Sequence, residues 1–321
     1  MTKLVQAVLA VAAMTSCETL GSVQGSSETV RALSSWTQVS EALVSGVADV
    51  DELREALLPL AKASHASYAG DVGEDIGQDF ALVARETPED GMNALAYLAP
   101  DARVIVAFRG TTSESDDCAD VLLFTPEKPL PESCEKYSNY TLDYVSRASE
   151  FVHEAISAAA TSPAAEASDK DEKEALDVVF TGHSLGASLA QLMALSYHAS
   201  GMDNVQFRAI AFAPAGVKEI AERDGFPTDD AKKVAAVIVN PFDPVYTTTE
   251  RTEIGRVCKF QSISEPLMCR CCKSLEDKRR LLEGQQEISM SLCCRVCFAK
   301  AHRFPNYMEA LTAMEEDPDC K

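Results

Sequence analysis

The sequence predicts an α/β fold, with a central, mostly parallel sheet flanked by helices. Three observations carry that expectation. From residue 36 onward, short apolar runs of strand length alternate with longer segments of helical period. One run, residues 104–108, is apolar throughout, as a strand covered on both faces must be. Finally, Gly182-His183-Ser184-Leu185-Gly186-Ala187 lies between an apolar run ending at Phe180 and a helix-like run over 187–198. A serine with glycines two residues to either side, on a strand-to-helix turn, is lifted out of the sheet for nucleophilic attack.

The elements follow in chain order. Residues 36–68 read as helix, with Val39, Leu43, Val47, Leu53, Leu57 and Leu60 at helical spacing and Pro59 a possible kink or break. An acidic loop covers 71–79, and short strands are expected over 80–84 and 95–98. After the strand at 104–108, residues 109–131 show no clear period, although Val121 to Phe124 form an apolar patch. A helix is expected over 140–160 and a strand over 176–180, followed by the serine turn and its helix. Strands over 205–212 and 234–239, a short helix from Lys218 and a closing helix over 302–314 complete the fold.

Charge and termini narrow the function classes. The chain has 321 residues and a formal net charge of −21, which argues against nucleic acid and anionic membranes as partners. Lys3, an apolar stretch over 4–14 and small residues after it predict a secretory signal over 1–20, cleaved between 16 and 25. The apolar stretch is about 11 residues where a membrane span needs about 20. The expected organisation is therefore a signal, a single catalytic domain over 36–321, a surface linker over 161–174 and a cysteine-rich insertion over 258–297. The expected location is secreted, or within the secretory pathway. The oligomeric state is not legible.

Ser184 needs a base, an orienting acid and donors for an oxyanion. In an α/β-hydrolase fold the order is serine, acid, histidine. His302 is the one histidine well downstream of Ser184, because His198 lies in the helix that follows the serine. Asp243, in a proline-held turn just past the strand 234–239, is the candidate acid. Leu185, directly after the serine, offers one backbone N–H. The loop Arg109-Gly110-Thr111-Thr112 offers a second at Thr111, whose hydroxyl can point the same way, and Arg109 is expected to pair with a nearby acid. Gly182, His183 and Gly186 form the elbow.

Together, Phe108-Arg109-Gly110-Thr111, Gly182-His183-Ser184-Leu185-Gly186, Asn240 with Asp243-Pro244-Val245, and His302 with Tyr307 resemble the fungal-type (class 3) triacylglycerol lipase family over roughly residues 55–312. The resemblance implies hydrolysis of carboxylic esters in lipids without a cofactor or metal. Ser184, Asp243 and His302 would be the catalytic residues, with Thr111 and Leu185 as oxyanion donors and His183 a structural part of the elbow. The chain departs from the family where Cys118, rather than Trp, follows Asp117, and where the segment 136–142 lacks the family's His-x-Gly-Phe pattern. Residues 113–133 are the lid candidate, with an ordinary buried helix or strand as the alternative.

Eleven cysteines are present, and seven fall between 258 and 297. Disulfides suit a secretory route, while Cys-x-x-Cys spacing also suits zinc. The substrate expected is a neutral lipid or other ester, met in part at a lipid–water interface. Phospholipase A1 or feruloyl esterase activity is the alternative within the same machinery. A catalytically silent member that binds lipid or protein is the alternative outside it.

Overall fold

The computed structural model describes residues 33–46, 49–69, 75–77, 79–162, 176–202, 205–261, 263 and 292–320. The chain opens with two helices, α1 (Trp36–Ser45) and α2 (Val50–Ala69), then a meander of β1 (Ala81–Glu86), β2 (Ala94–Leu98) and β3 (Arg103–Phe108). Helices α3 (Glu114–Phe124), α4 (Asn139–Leu142) and α5 (Tyr144–Ala160) lead to β4 (Leu176–Gly182), α6 (Leu185–Ser200) and β5 (Val205–Phe212). After α7 (Lys218–Arg223) and α8 (Ala231–Val234) come β6 (Ala235–Val239), α9 (Pro244–Thr249) and β7 (Arg256–Lys259). The chain closes with α10 (Leu292–Ala301), α11 (Phe304–Thr312) and β8 (Asp319–Cys320).

The eight strands form one sheet in the order of the chain, β1 to β8. β3 through β7 pair in parallel, and β1, β2 and β8 are antiparallel to their neighbours. That order has a consequence for the layers. Right-handed crossovers between strands laid down in one direction put every crossover helix on the same face. Alternate residues therefore divide between two cores. Val104, Val106 and Phe108 pack with α5 and α6, whereas Ile105 and Ala107 pack with α1, α2 and α11. The strand–helix alternation accounts for one covered face. The chain-end helices cover the other, and burying Leu53, Leu57 and Leu60 of α2 there is worth about 2 kcal/mol each.

Several boundaries differ from the sequence expectation, each for a local reason. The long N-terminal helix ends at Gly46, which takes a left-handed conformation, while Pro59 is buried inside α2. The 140–160 helix divides at Asp143, whose side chain caps Ser146. The expected aperiodic excursion holds α3, started by a capping box between Ser113 and Asp116. Val121 to Phe124 form the last turn of that helix. Leu123 faces the main core, and Leu122 packs against a satellite core of Cys118, Cys134 and Leu142.

Cys258 lies in β7, inside the sheet, so the sheet continues past the expected start of the cysteine-rich insertion. Disulfides join Cys118 to Cys134 and Cys258 to Cys320, and Cys297 is disulfide-bonded too. The signal at 1–20, most of the linker at 161–174 and the middle of the insertion, 264–291, lie outside the described residues. Among the described residues, no helix is long and apolar enough to cross a membrane, and no cluster of side chains could hold a metal ion.

Candidate active site

The carboxyl ends of β3, β4 and β6 converge with the start of α11. The elbow follows from packing. A Cβ at Gly186 would stand 2.1 Å from the Phe108 carbonyl oxygen, and one at Gly182 would stand 2.6 Å from the same oxygen. The two glycines therefore let the β4–α6 turn close against the end of β3. Ser184 takes the cost, with φ 57° and ψ −124°, a strained backbone for a residue with a side chain. Its N–H bonds to the Phe212 carbonyl at 3.1 Å, pinning the turn to β5.

The Ser184 hydroxyl lies 2.9 Å from His302 Nε2, and His302 Nδ1 lies 2.8 Å from Asp243 Oδ2. Asp243 is fully buried and His302 is 4% exposed. A carboxylate accepts, so Nδ1 carries the ring proton and Nε2 is left to accept from the serine. Asp243 also accepts from the Val245 N–H at 2.8 Å, as the N-cap of α9, and from the Tyr307 hydroxyl at 2.8 Å. Tyr307 accepts in turn from the Asn240 N–H at 2.9 Å. Burial, then the Asp243 charge, hold the Tyr307 hydroxyl well above its ordinary pKa, so it stays a donor. Three hydrogen bonds on Asp243 offset the cost of burying a carboxylate.

Thr111 and Leu185 follow Gly110 and Ser184. Leu185 is the first residue of α6, where an N–H has no intrahelical partner. No hydrogen bond within the described residues engages either N–H. The Thr111 hydroxyl donates to Asp120 Oδ2 at 2.7 Å, leaving the backbone N–H as the donor free for an oxyanion. The loop itself is clamped by Asp116, which accepts from Arg109, from the N–H groups of Thr112 and Ser113 at 2.9 Å each, and from the Tyr144 hydroxyl at 2.5 Å. Asp116 and Asp120 were not singled out by sequence reasoning. The Ser113-x-x-Asp116 capping pattern is the signal that points to the first, and Asp120 follows one helical turn later.

His183 faces away from Ser184. Its Nδ1 lies 2.7 Å from the Tyr68 hydroxyl of α2, and its Nε2 lies 2.7 Å from the His302 carbonyl oxygen. On the α3 side, a cavity of about 310 Å³ is lined by Leu123, Phe124, Ala215, Gly216, Ile220 and Thr249 among others.

Residues 105–251 match the family model for class 3 lipases. The match takes in Thr111, Ser184 and Asp243 and ends before His302. Among solved structures, the chain is similar to a lipase from Rhizopus microsporus var. chinensis, at 15% identity over 66% of this chain and 76% of that one, with a TM-score of 0.43. It is also similar to lipase II from Rhizopus niveus, at 14% identity over 65% and 81%, with a TM-score of 0.42. A third is the triacylglyceride lipase of Rhizomucor miehei, at 16% over 66% and 82%, with a TM-score of 0.41. No curated protein sequence matches the chain.

Proposed function

We propose, from the class 3 lipase segment at residues 105–251, that the protein hydrolyses carboxylic ester bonds of lipids through an acyl-enzyme intermediate. The observation that carries the residue roles is the chain of short contacts from Asp243 through His302 to a serine on a strained elbow. His302 Nε2 takes the Ser184 proton as the hydroxyl oxygen attacks the ester carbonyl. The N–H groups of Leu185 and Thr111 stabilise the oxyanion. His302 then returns the proton to the departing alcohol. Water attacks the acyl-enzyme with the same base, and the carboxylic acid leaves. Asp243 holds the His302 ring in the Nδ1–H tautomer and stabilises the imidazolium.

An acylglycerol is the substrate this reading favours, since the net charge of −21 repels anionic lipid headgroups. The disulfides suit an oxidising compartment, and with the N-terminal signal they support export. N-terminal sequencing of mature protein is expected to begin between residues 17 and 26.

The deciding experiment is covalent labelling with a fluorophosphonate, in detergent, together with hydrolysis of a chain-length series of glyceryl esters. Wild type is expected to label and turn over. Ser184→Ala is expected to lose labelling and on the order of 10⁶-fold in kcat. Absence of labelling in folded, disulfide-intact protein would favour a silent, lipid-binding member of the fold.

A further inference from the structure

We propose that Tyr68 and His183 are positioning residues: a hydrogen-bonded relay that runs from a tyrosine packed on the oxyanion loop to the main chain of the general base. The inference rests on the serine hydrolase reading and adds two residues to it. The family segment at 105–251 contains neither Tyr68, on α2, nor His302.

The direction of every bond in the relay is determined. The His302 carbonyl can only accept, so His183 Nε2 carries a proton and donates to it at 2.7 Å. His183 is 4% exposed, and burial, followed by the adjacent His302, holds it well below the usual histidine range. The ring is therefore neutral, Nδ1 is an acceptor, and the Tyr68 hydroxyl must donate to it at 2.7 Å. The Tyr68 oxygen rests against Gly110, immediately before Thr111. The chain of hydrogen bonds runs from Tyr68 through His183 to the His302 carbonyl.

Both ends of this relay sit beside reacting groups. A Cβ on residue 110 would stand 2.1 Å from the Tyr68 oxygen, so glycine there is what admits the tyrosine. At the other end, Asp243 and Ser184 hold the two nitrogens of the His302 ring, and Phe298 packs on it with centroids 4.7 Å apart, but all of these contacts act on the side chain. The carbonyl bond to His183 adds an anchor on the main chain of the same residue. His183 is itself wedged against Phe304 and Tyr307, with ring centroids 5.1 and 5.7 Å away, and its centroid is 4.7 Å from that of His302. Neutrality matters at that distance, because the imidazolium formed at His302 during each turnover would meet a like charge on a protonated His183.

The test uses the full-length protein and three variants. Tyr68→Phe removes one oxygen and keeps the ring that stacks on Phe304. It is expected to lower kcat and the rate of fluorophosphonate labelling by about tenfold or more, with KM within about twofold of wild type, as a displaced general base requires. His183→Leu is expected to do the same. His183→Gln, whose carboxamide offers one acceptor and one donor, is expected to restore most of the loss. The relay is overturned if Tyr68→Phe labels and turns over at the wild-type rate, if its loss lies in KM, or if His183→Gln is as impaired as His183→Leu. A wild type that fails to label would overturn the hydrolase reading, and the relay with it.

Discussion

Asp120 shows at the scale of one residue how the fold changes chemistry. Its carboxyl accepts the Thr111 hydroxyl, while its Oδ1 is out of solvent and without a hydrogen-bond partner. Burial pushes its pKa up to about 8; Asp116 and Asp117 add to the rise and the Thr111 bond opposes it. The sign for stability follows from linkage. A carboxyl whose folded value is raised favours the folded state below the unfolded value of 3.8, and that contribution is lost as pH climbs through about 8. Asp120→Asn cannot ionise, so its melting temperature is expected to gain on wild type from pH 4 to pH 8 and to level off above. A constant difference across that window would contradict the assignment. Nothing in the spacing of Asp120 forecasts this behaviour, because desolvation depends on what packs around α3. Ser184, Asp243 and His302 were legible because their order, the neighbouring strand and the scarcity of histidines constrain them.

At the scale of elements, the elbow and α3 make opposite demands. The β4–α6 turn needs atoms removed, and α3 needs atoms joined. Gly186→Ala would place a Cβ 2.1 Å from one backbone atom and 2.9 Å from another, neither of which can swing aside. It is expected to yield little folded, soluble protein, as judged by circular dichroism and thermal melting. A well-folded Gly186→Ala would mean that the end of β3 moves more freely than its packing implies. For α3, the Cys118–Cys134 bridge closes a loop of 16 residues and packs with Leu142 in a small core of its own. Replacing both cysteines with serine is expected to lower unfolding stability by about 3 kcal/mol. Denaturant titration measures it, and an unchanged midpoint would show that α3 is held by Asp116 and core packing alone. The helix shows no clear period in sequence because it buries two faces, Ala119 and Leu123 inward and Cys118 and Leu122 toward the satellite core, which blurs a single apolar stripe.

At the scale of the molecule, charge and topology act separately. A net charge of −21 makes the compact state repel itself. Raising salt from about 0.05 M to about 0.5 M shortens the screening length severalfold, so the melting temperature is expected to rise. A fall would point to attractive surface pairs outweighing the repulsion. Topology decides where the site sits. Local pattern in the chain determined strands β1 to β6, the serine turn and the covered character of β3, since each depends on neighbours a few residues away. The tertiary structure alone decided that the chain-end helices cover the second face, that the Thr111 hydroxyl turns to Asp120, and that Tyr68 reaches His183 across 115 residues and His183 reaches the His302 carbonyl across 119. Hydrogen bonds form over a few tenths of an ångström. Contacts between residues so distant in the chain are therefore determined by the register and packing of the whole sheet, which no local window contains.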